Sequence, residues 1–249
     1  MSFAEREQAF NKLAKTNSSL KSLSTEWLRQ AGEAGQQYTW DWCGLPIIQI
    51  SQDIVQYQEL IQSVKPDLIV ETGIARGGSL ALSASLLCLL DIMEGLDPRL
   101  SSRQVVGVDI DIRDHNRKAL DAHPLRFKMH LIEGSSIDSK TIEEVRSIAS
   151  EHTKILLALD SNHTHDHVFA ELEAYADLVS LDSYCIVFDT VIADLPADYF
   201  PDRPWGIDSN PKSAVHDWLK YHPEFQIDKA IDDKLLISVA PNGYLKRIH

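Results

Sequence analysis

Asp67-Leu68-Ile69-Val70-Glu71-Thr72-Gly73-Ile74-Ala75-Arg76-Gly77-Gly78-Ser79 begins as a short apolar, β-branched strand, runs into a glycine-rich turn and continues as a helix. Such a strand suits the middle of a parallel sheet covered on both faces. Gly73 permits a tight turn, and Gly77-Gly78 lets backbone approach a neighbour or a ligand closely. From Ser79 to Leu87 apolar residues recur at helical spacing. In open α/β sheets, ligands sit at the carboxyl ends of strands of this kind, against helix N-termini.

The turn is not a phosphate cradle. It lacks Gly-Lys-Ser/Thr, Ala75 stands where a dinucleotide fingerprint needs its second glycine, and Glu71 ends the strand where a phosphate would be repelled. An acidic strand end followed by Gly-x-x-x-Gly-Gly better suits a nucleoside ligand that carries positive charge. S-adenosylmethionine, with its ammonium, sulfonium and ribose hydroxyls, has those properties; an ordinary strand-to-helix turn is the plain alternative.

Outward from this stretch the same pattern repeats. Gln104–Asp111 reads as a second strand, Arg126–Ile132 as a third, Lys154–Asp160 as a fourth and Ser183–Asp189 as a fifth, with helices over 114–120, 139–150 and 166–176. Regular strand–helix alternation predicts a doubly wound parallel α/β sheet. Phe225–Ala230 and Leu235–Ala240 read as two further strands forming an antiparallel edge, after a helix over 211–221. Upstream, residues 4–31 read as two helical pieces broken near Asn17-Ser18-Ser19, 38–46 as an irregular aromatic segment, and 53–61 as a helix N-capped by Asp53. Residues 190–210, rich in proline, read as a loop. Residues 1–60 are expected to form an N-terminal helical extension, and 61–249 the main domain.

With 249 residues, 44% hydrophobic and 24% charged, the chain has enough apolar residue for a sizeable core. A net charge of −13 argues against nucleic-acid and anionic-membrane partners. Cys43, Cys88 and Cys185 are scattered, which favours free thiols and a reducing compartment. With no apolar run of spanning length, no integral membrane segment is expected and a cytoplasmic location is the default.

Every predicted strand ends in acid or small polar residues: Glu71, Asp109-Ile110-Asp111, Glu133-Gly134-Ser135-Ser136, Asp160 and Asp189. Each can be no more than a cap for the following helix, but together they line one sheet edge. Asp109 lies 38 residues after Glu71, against about 20 in a dinucleotide fold, because the intervening helix is long. It can still accept hydrogen bonds from ribose hydroxyls, while Glu71 faces an ammonium. Asp160 and Asp189 offer hard oxygens suited to Mg²⁺. Three histidines alternate in Asp160-Ser161-Asn162-His163-Thr164-His165-Asp166-His167, but residues at i and i+2 diverge on a helix start, so His165 and His167 read as surface groups.

These motifs, with Arg203-Pro204-Trp205-Gly206, Asn210–Val215 and Pro241–Arg247, resemble the cephalosporin hydroxylase/rhamnosyl O-methyltransferase family over about residues 40–249. The resemblance implies a Rossmann-like, mostly parallel seven-stranded sheet of the class I methyltransferase type, S-adenosylmethionine as cofactor, and Mg²⁺ at Asp160 and Asp189. It implies cofactor contacts from Glu71, Gly73, Asp109 and Ser135, to which the turn and strand ends add Thr72, Arg76, Gly77, Gly78, Ser79, Ile110, Ser136 and Asp160. Family members carry Glu-Asp at the end of the fifth strand; here the first position is Phe188, so one carboxylate is missing, and the expectation is that Mg²⁺ binds more weakly, is completed by Asn162 or water, or is absent. Related catechol-type enzymes place a lysine base three residues after the first metal aspartate, where this chain has His163.

The expected reaction is methyl transfer to a hydroxyl of a sugar, in a glycolipid, a polysaccharide or a related natural product. His163 is the expected base, Asp160 its catalytic neighbour, and Trp205 a candidate sugar-stacking wall. The rivals are a hydroxylase needing iron and a non-catalytic binding protein with a degraded metal site. The N-terminal helices and aromatic segment suggest a homo-oligomer.

Overall fold

The computed structural model describes residues 1–249. Two helices open the chain, α1 (Phe3–Thr16) and α2 (Ser18–Glu33), separated at Asn17, whose side chain caps α2 by accepting from the Leu20 N–H at 3.0 Å. A small antiparallel hairpin follows, β1 (Trp40–Trp42) and β2 (Leu45–Ile47), where an irregular segment was expected. Three-residue strands are too short for alternation to identify, although Tyr38, Trp40 and Trp42 do stand at every second position.

Next come α3 (Ser51–Val64), which runs across the expected division at residue 60, then β3 (Leu68–Thr72) and α4 (Gly78–Met93). The alternation continues with β4 (Gln104–Asp109), α5 (Asp114–Asp121), β5 (Met129–Glu133), α6 (Ser139–Ala149), β6 (Ile155–Leu159), α7 (His165–Tyr175) and β7 (Tyr184–Val187). The chain closes with α8 (Pro211–Trp218), β8 (Phe225–Ile227), α9 (Lys229–Leu235) and β9 (Tyr244–Arg247).

Seven strands form one sheet in the order β5-β4-β3-β6-β7-β9-β8. The first five in that order are mutually parallel, and β9 pairs antiparallel with both β7 and β8. β3 is the centre of the sheet. The chain winds from it toward β5 on one side and from β6 toward β8 on the other, so the crevice between the carboxyl ends of β3 and β6 is the topological switch point. Side chains along β3 alternate between two cores: Ile69 joins the cluster on the α3–α4 face, and Leu68 and Val70 join the cluster on the α6–α7–α8 face. Continuous burial on both faces explains the unbroken apolar run of the central strands.

Three expectations need correction. Residues 235–240 are not a strand: Asp228 caps α9 over 229–235, and the strand that pairs with β8 is instead 244–247. The apolar run Leu235-Leu236-Ile237 fits a strand or a buried turn equally, and α9 docking decides it. Asp53 is not an N-cap but a buried side chain in the first turn of α3, accepting from the Ser238 hydroxyl and the Tyr244 hydroxyl at 2.7 Å each and from the Val239 N–H at 2.8 Å. The third strand begins at Met129, because 126–128 form a single 3₁₀ turn.

Candidate active site

Gly73 sits at φ +82°, and a Cβ there would lie 2.0 Å from the Asp160 carbonyl oxygen. Only glycine lets β3 turn this close to the end of β6. Gly78 meets the Pro46 carbonyl in the same way, at 2.4 Å from an added Cβ, which docks the hairpin on the start of α4. The turn itself is braced by Asp109, whose Oδ2 accepts from the backbone N–H groups of Ile74 and Ala75 at 3.0 and 3.1 Å.

A cleft of about 380 Å³ opens over this turn. Gly73, Arg76, Gly78, Ser79, Asp160, His163 and Asp189 line its floor. Its roof comes from Trp27, Leu28 and Gly32 of α2 on one side and Leu195, Tyr199 and Phe200 of the 190–210 segment on the other. The two halves of the roof touch where the Tyr199 hydroxyl donates to the Arg29 carbonyl at 3.2 Å. No sequence periodicity marked α2 as a cleft wall; the signal available was only the proximity of Trp27 and Leu28 on one helical face.

Of the other residues expected to hold cofactor, Glu71 and Ser79 face a second, smaller cavity behind the turn, and Thr72 is fully buried in β3. Gly77 takes φ +87° as the cap of α4. Asp109, Ile110, Ser135 and Ser136 lie at the adjoining ends of β4 and β5, outside the cleft lining. Ile110 is exposed, and Ser136 is buried with its hydroxyl against His167 Nε2 at 3.1 Å.

The catalytic end is compact. Ligand atoms of Asp160, His163 and Asp189 all lie within 4.8 Å of one another. Asp189 takes φ +55°, a left-handed turn that points the chain away from β7 as the next segment begins. His163 Nε2 stands 3.2 Å from Asp189 Oδ2, and its ring meets Trp205 edge-on at 4.8 Å between centroids. Its Nδ1 makes no hydrogen bond within the protein. Arg203 lies over the Trp205 ring at 5.2 Å, so that indole has both neighbours as contacts.

The remaining histidines are elsewhere, and neither is a simple surface group. His165 is tied to Asp166 at 2.9 Å and to Asp217 at 3.2 Å, and His167 Nε2 lies 3.1 Å from both Ser136 and Ser161. Asn162 does not complete a metal shell, since its Oδ1 accepts from the Thr164 N–H and hydroxyl at 2.9 and 2.8 Å. Phe188 packs into the α3–α4 core and takes no part in the acidic trio.

Burial sets the electrostatics. Desolvation pushes the Glu71 carboxyl up to about 7, against the pull of hydrogen bonds from Ser79 and Ser83. Asp53 is pushed up to about 6 by the same cause. Asp160 is raised well above the ordinary carboxylate range, first by desolvation and then by the charge of Asp189. A divalent cation fits this donor set: two carboxylates and an imidazole in reach of one point, with room in the cleft for waters.

No helix is long and apolar enough to cross a membrane. Residues 34–248 match the family model described as rhamnosyl O-methyltransferase/CmcI. The chain is 29% identical over 200 residues to a rhamnosyl O-methyltransferase of Mycobacterium tuberculosis, covering 78% of this chain and 73% of that one. The corresponding protein of Mycobacterium leprae is 26% identical over 211 residues, covering 84% and 83%. A solved structure of CmcI with Mg and S-adenosylmethionine superposes over 85% of this chain and 78% of that chain, at 21% identity and a TM-score of 0.57, which is a likeness of fold. The seven-stranded switch-point fold and the match over residues 34–248 lead to one conclusion: the chain belongs to the rhamnosyl O-methyltransferase/CmcI family of S-adenosylmethionine-dependent methyltransferases.

Proposed function

We propose that this chain methylates a hydroxyl of a sugar, carried on a glycolipid, a polysaccharide or a related glycosylated product. The observation that carries the reading is the His163–Asp189 pair, 3.2 Å apart, beside Asp160 at the floor of the cleft. Methyl transfer from a sulfonium needs little covalent help. What it needs is alignment of the acceptor oxygen and removal of its proton.

In this reading His163 takes the acceptor's proton, and the Asp189 carboxylate, 3.2 Å from Nε2, offsets the charge that forms on the ring. The new bond joins the acceptor oxygen to the methyl carbon as the methyl–sulfur bond breaks, giving the methyl ether and S-adenosylhomocysteine. Asp160 and Asp189 are the residues that would hold Mg²⁺, which when bound lowers the pKa of the acceptor hydroxyl. Gly73, Arg76, Gly78 and Ser79 on the cleft floor, with Asp109, Ile110, Ser135 and Ser136 at the ends of β4 and β5, form the cofactor surface, and buried Glu71, Thr72 and Gly77 support the turn from behind. Trp205, clasped between His163 and Arg203, forms the wall against which the sugar rests.

Three unpaired cysteines accord with a cytoplasmic place of work. Exposed Phe3, Leu13 and Leu23 on α1 and α2 belong, in the same reading, to a contact between copies that sedimentation velocity would detect. The principal test is methyl transfer from labelled S-adenosylmethionine to a panel of rhamnosides. His163→Ala should lower turnover by a factor of about 10² to 10⁴ while S-adenosylhomocysteine affinity stays within about threefold. An unchanged rate removes His163 as the base. Stoichiometric iron in the purified protein would instead favour a hydroxylase.

A further inference from the structure

His167, Glu171 and Tyr175 stand at i, i+4 and i+8 on α7 and so share one face of it. That face grips two serines on either side of the switch point. Ser161 follows Asp160 at the end of β6, and Ser136 lies beyond the end of β5, with β4 and β3 between them in the sheet. Each serine is held twice. Ser161 donates its hydroxyl to Glu171 Oε1 at 2.7 Å, and Tyr175 donates its hydroxyl to the Ser136 carbonyl. His167 reaches both serines, with Nε2 lying 3.1 Å from each hydroxyl oxygen. Glu171 and Tyr175 are fully buried, and Ser136 is 5% exposed.

Counting hydrogens fixes the polarity of this network. A hydroxyl carries one hydrogen, and that of Ser161 goes to the Glu171 carboxylate. Ser161 can then only accept from the ring, so His167 Nε2 carries a hydrogen. Glu171 Oε1, 3.6 Å from the same nitrogen, favours that arrangement. A ring nitrogen that donates does not accept, so Ser136 also receives the N–H, and its own hydrogen turns away from the imidazole. One shared N–H joins the two strand ends, and Ser136 keeps a donor to offer elsewhere.

The loop held in this way carries the reacting groups. Ser161 lies between Asp160 and His163, packed so closely on the glycine turn that a Cβ on Gly73 would come 2.7 Å from Ser161 Cα. A shift of Ser161 therefore moves the acid and the base together. We propose that His167 is a positioning residue, which ties the loop of Asp160 and His163 to the cofactor end of β5 through one Nε2–H shared by Ser161 and Ser136. What stands at each end of this tie rests on the methyltransferase reading above. Cofactor seated against Ser136 thereby bears on the loop that holds the base, although His167 itself touches neither the acidic trio nor the acceptor.

The first test is spectroscopic and needs no acceptor. The full chain is labelled with ¹⁵N-histidine, and the ring nitrogens are read by long-range proton–nitrogen correlation, with His167→Gln identifying the signals of His167. Nε2 should carry a proton, and saturating S-adenosylhomocysteine should shift the ring nitrogens. In Ser136→Ala, with the ligand again saturating, that shift should fall to less than about half, because the cofactor end of the tie is gone.

The second test is kinetic, on a rhamnoside that the wild type methylates. His167→Leu should lower kcat by about tenfold to 100-fold at saturating S-adenosylmethionine, since a displacement of about 1 Å at the reacting groups costs that much, while the acceptor KM stays within about twofold. His167→Gln, whose amide N–H stands where Nε2 does, should keep kcat within about threefold of the wild type. A plain helix anchor would lower the melting temperature of His167→Leu and leave kcat per folded molecule unchanged. An Nε2 without a proton, a ring that ignores bound S-adenosylhomocysteine, or an unchanged kcat in folded His167→Leu overturns the proposal alone. If no adenosyl ligand binds, the methyltransferase reading falls and the proposal falls with it.

Discussion

Glu71→Gln isolates the electrostatic cost of the turn on which the site is built. Glu71 is buried at the end of β3 and its carboxyl is pushed from 4.5 up to about 7, chiefly by desolvation. An acid raised in the folded state binds its proton more tightly there than in the unfolded chain. The stability linked to the protonated form is therefore full below pH 4.5 and is lost as pH climbs through about 7. The whole shift corresponds to about 3 kcal/mol, and the part between pH 5 and pH 8 to about 2.5 kcal/mol. Urea unfolding at those two pH values, without cofactor or salt beyond buffer, should show the wild type losing about that much more than Glu71→Gln. The glutamine keeps one acceptor oxygen, for Ser79, and turns an amide donor toward the Ser83 hydroxyl, which can accept it, while removing the titration. A difference between the two proteins below about 1 kcal/mol would show that the pocket tolerates the ionised acid, and the burial argument for Glu71 would fail.

Other consequences are equally direct. Gly73→Ala places a Cβ 2.0 Å from the Asp160 carbonyl at φ +82°, and should destabilise the fold by about 3 kcal/mol or more in urea unfolding; a near-neutral result would contradict the close crossing of β3 and β6. Asp189→Asn should weaken Mg²⁺ binding by about tenfold or more in calorimetry and lower turnover with it, because one of two carboxylates in the trio is lost; unchanged affinity would separate Asp189 from the metal. Asp53→Ala leaves the Ser238 and Tyr244 hydroxyls and the Val239 N–H without their common acceptor, and should cost about 2–4 kcal/mol by thermal unfolding. A loss below about 0.5 kcal/mol would mean that those donors find other partners.

The parallel half of the fold was legible because its strands are buried on both faces and its helices are separated by clear breakers. Leu68–Thr72, Gln104–Asp109 and Ile155–Leu159 are apolar runs that admit few other readings. The antiparallel edge was not: Leu235-Leu236-Ile237 carries strand-like residues, and only the docking of α9 and the Asp53 anchor make it a turn. In the site, Asp160, His163 and Asp189 were readable because each stands within four residues of a strand end. The α2 wall was not, since an amphipathic N-terminal helix looks like ordinary packing. Asn162 shows the converse. Its chemistry suits a ligand, but its neighbour Thr164 is nearer than any cleft atom and claims its oxygen.

The bond between Asp53 and Tyr244 joins positions 191 residues apart, and the strand carrying Tyr244 is the one that joins the edge strand β8 to β7. Contacts of such separation close late in folding. On a ribosome the order is stricter still. The glycine turn, the acidic strand ends and His163 have all emerged while residues 238–247 are still in the exit tunnel, so Asp53 waits without its three donors and Val239 is not yet in the cleft wall. A nascent chain thus carries every reacting group before it carries a finished site. The site is finished only when residues 238–247 are free to fold back on the first turn of α3.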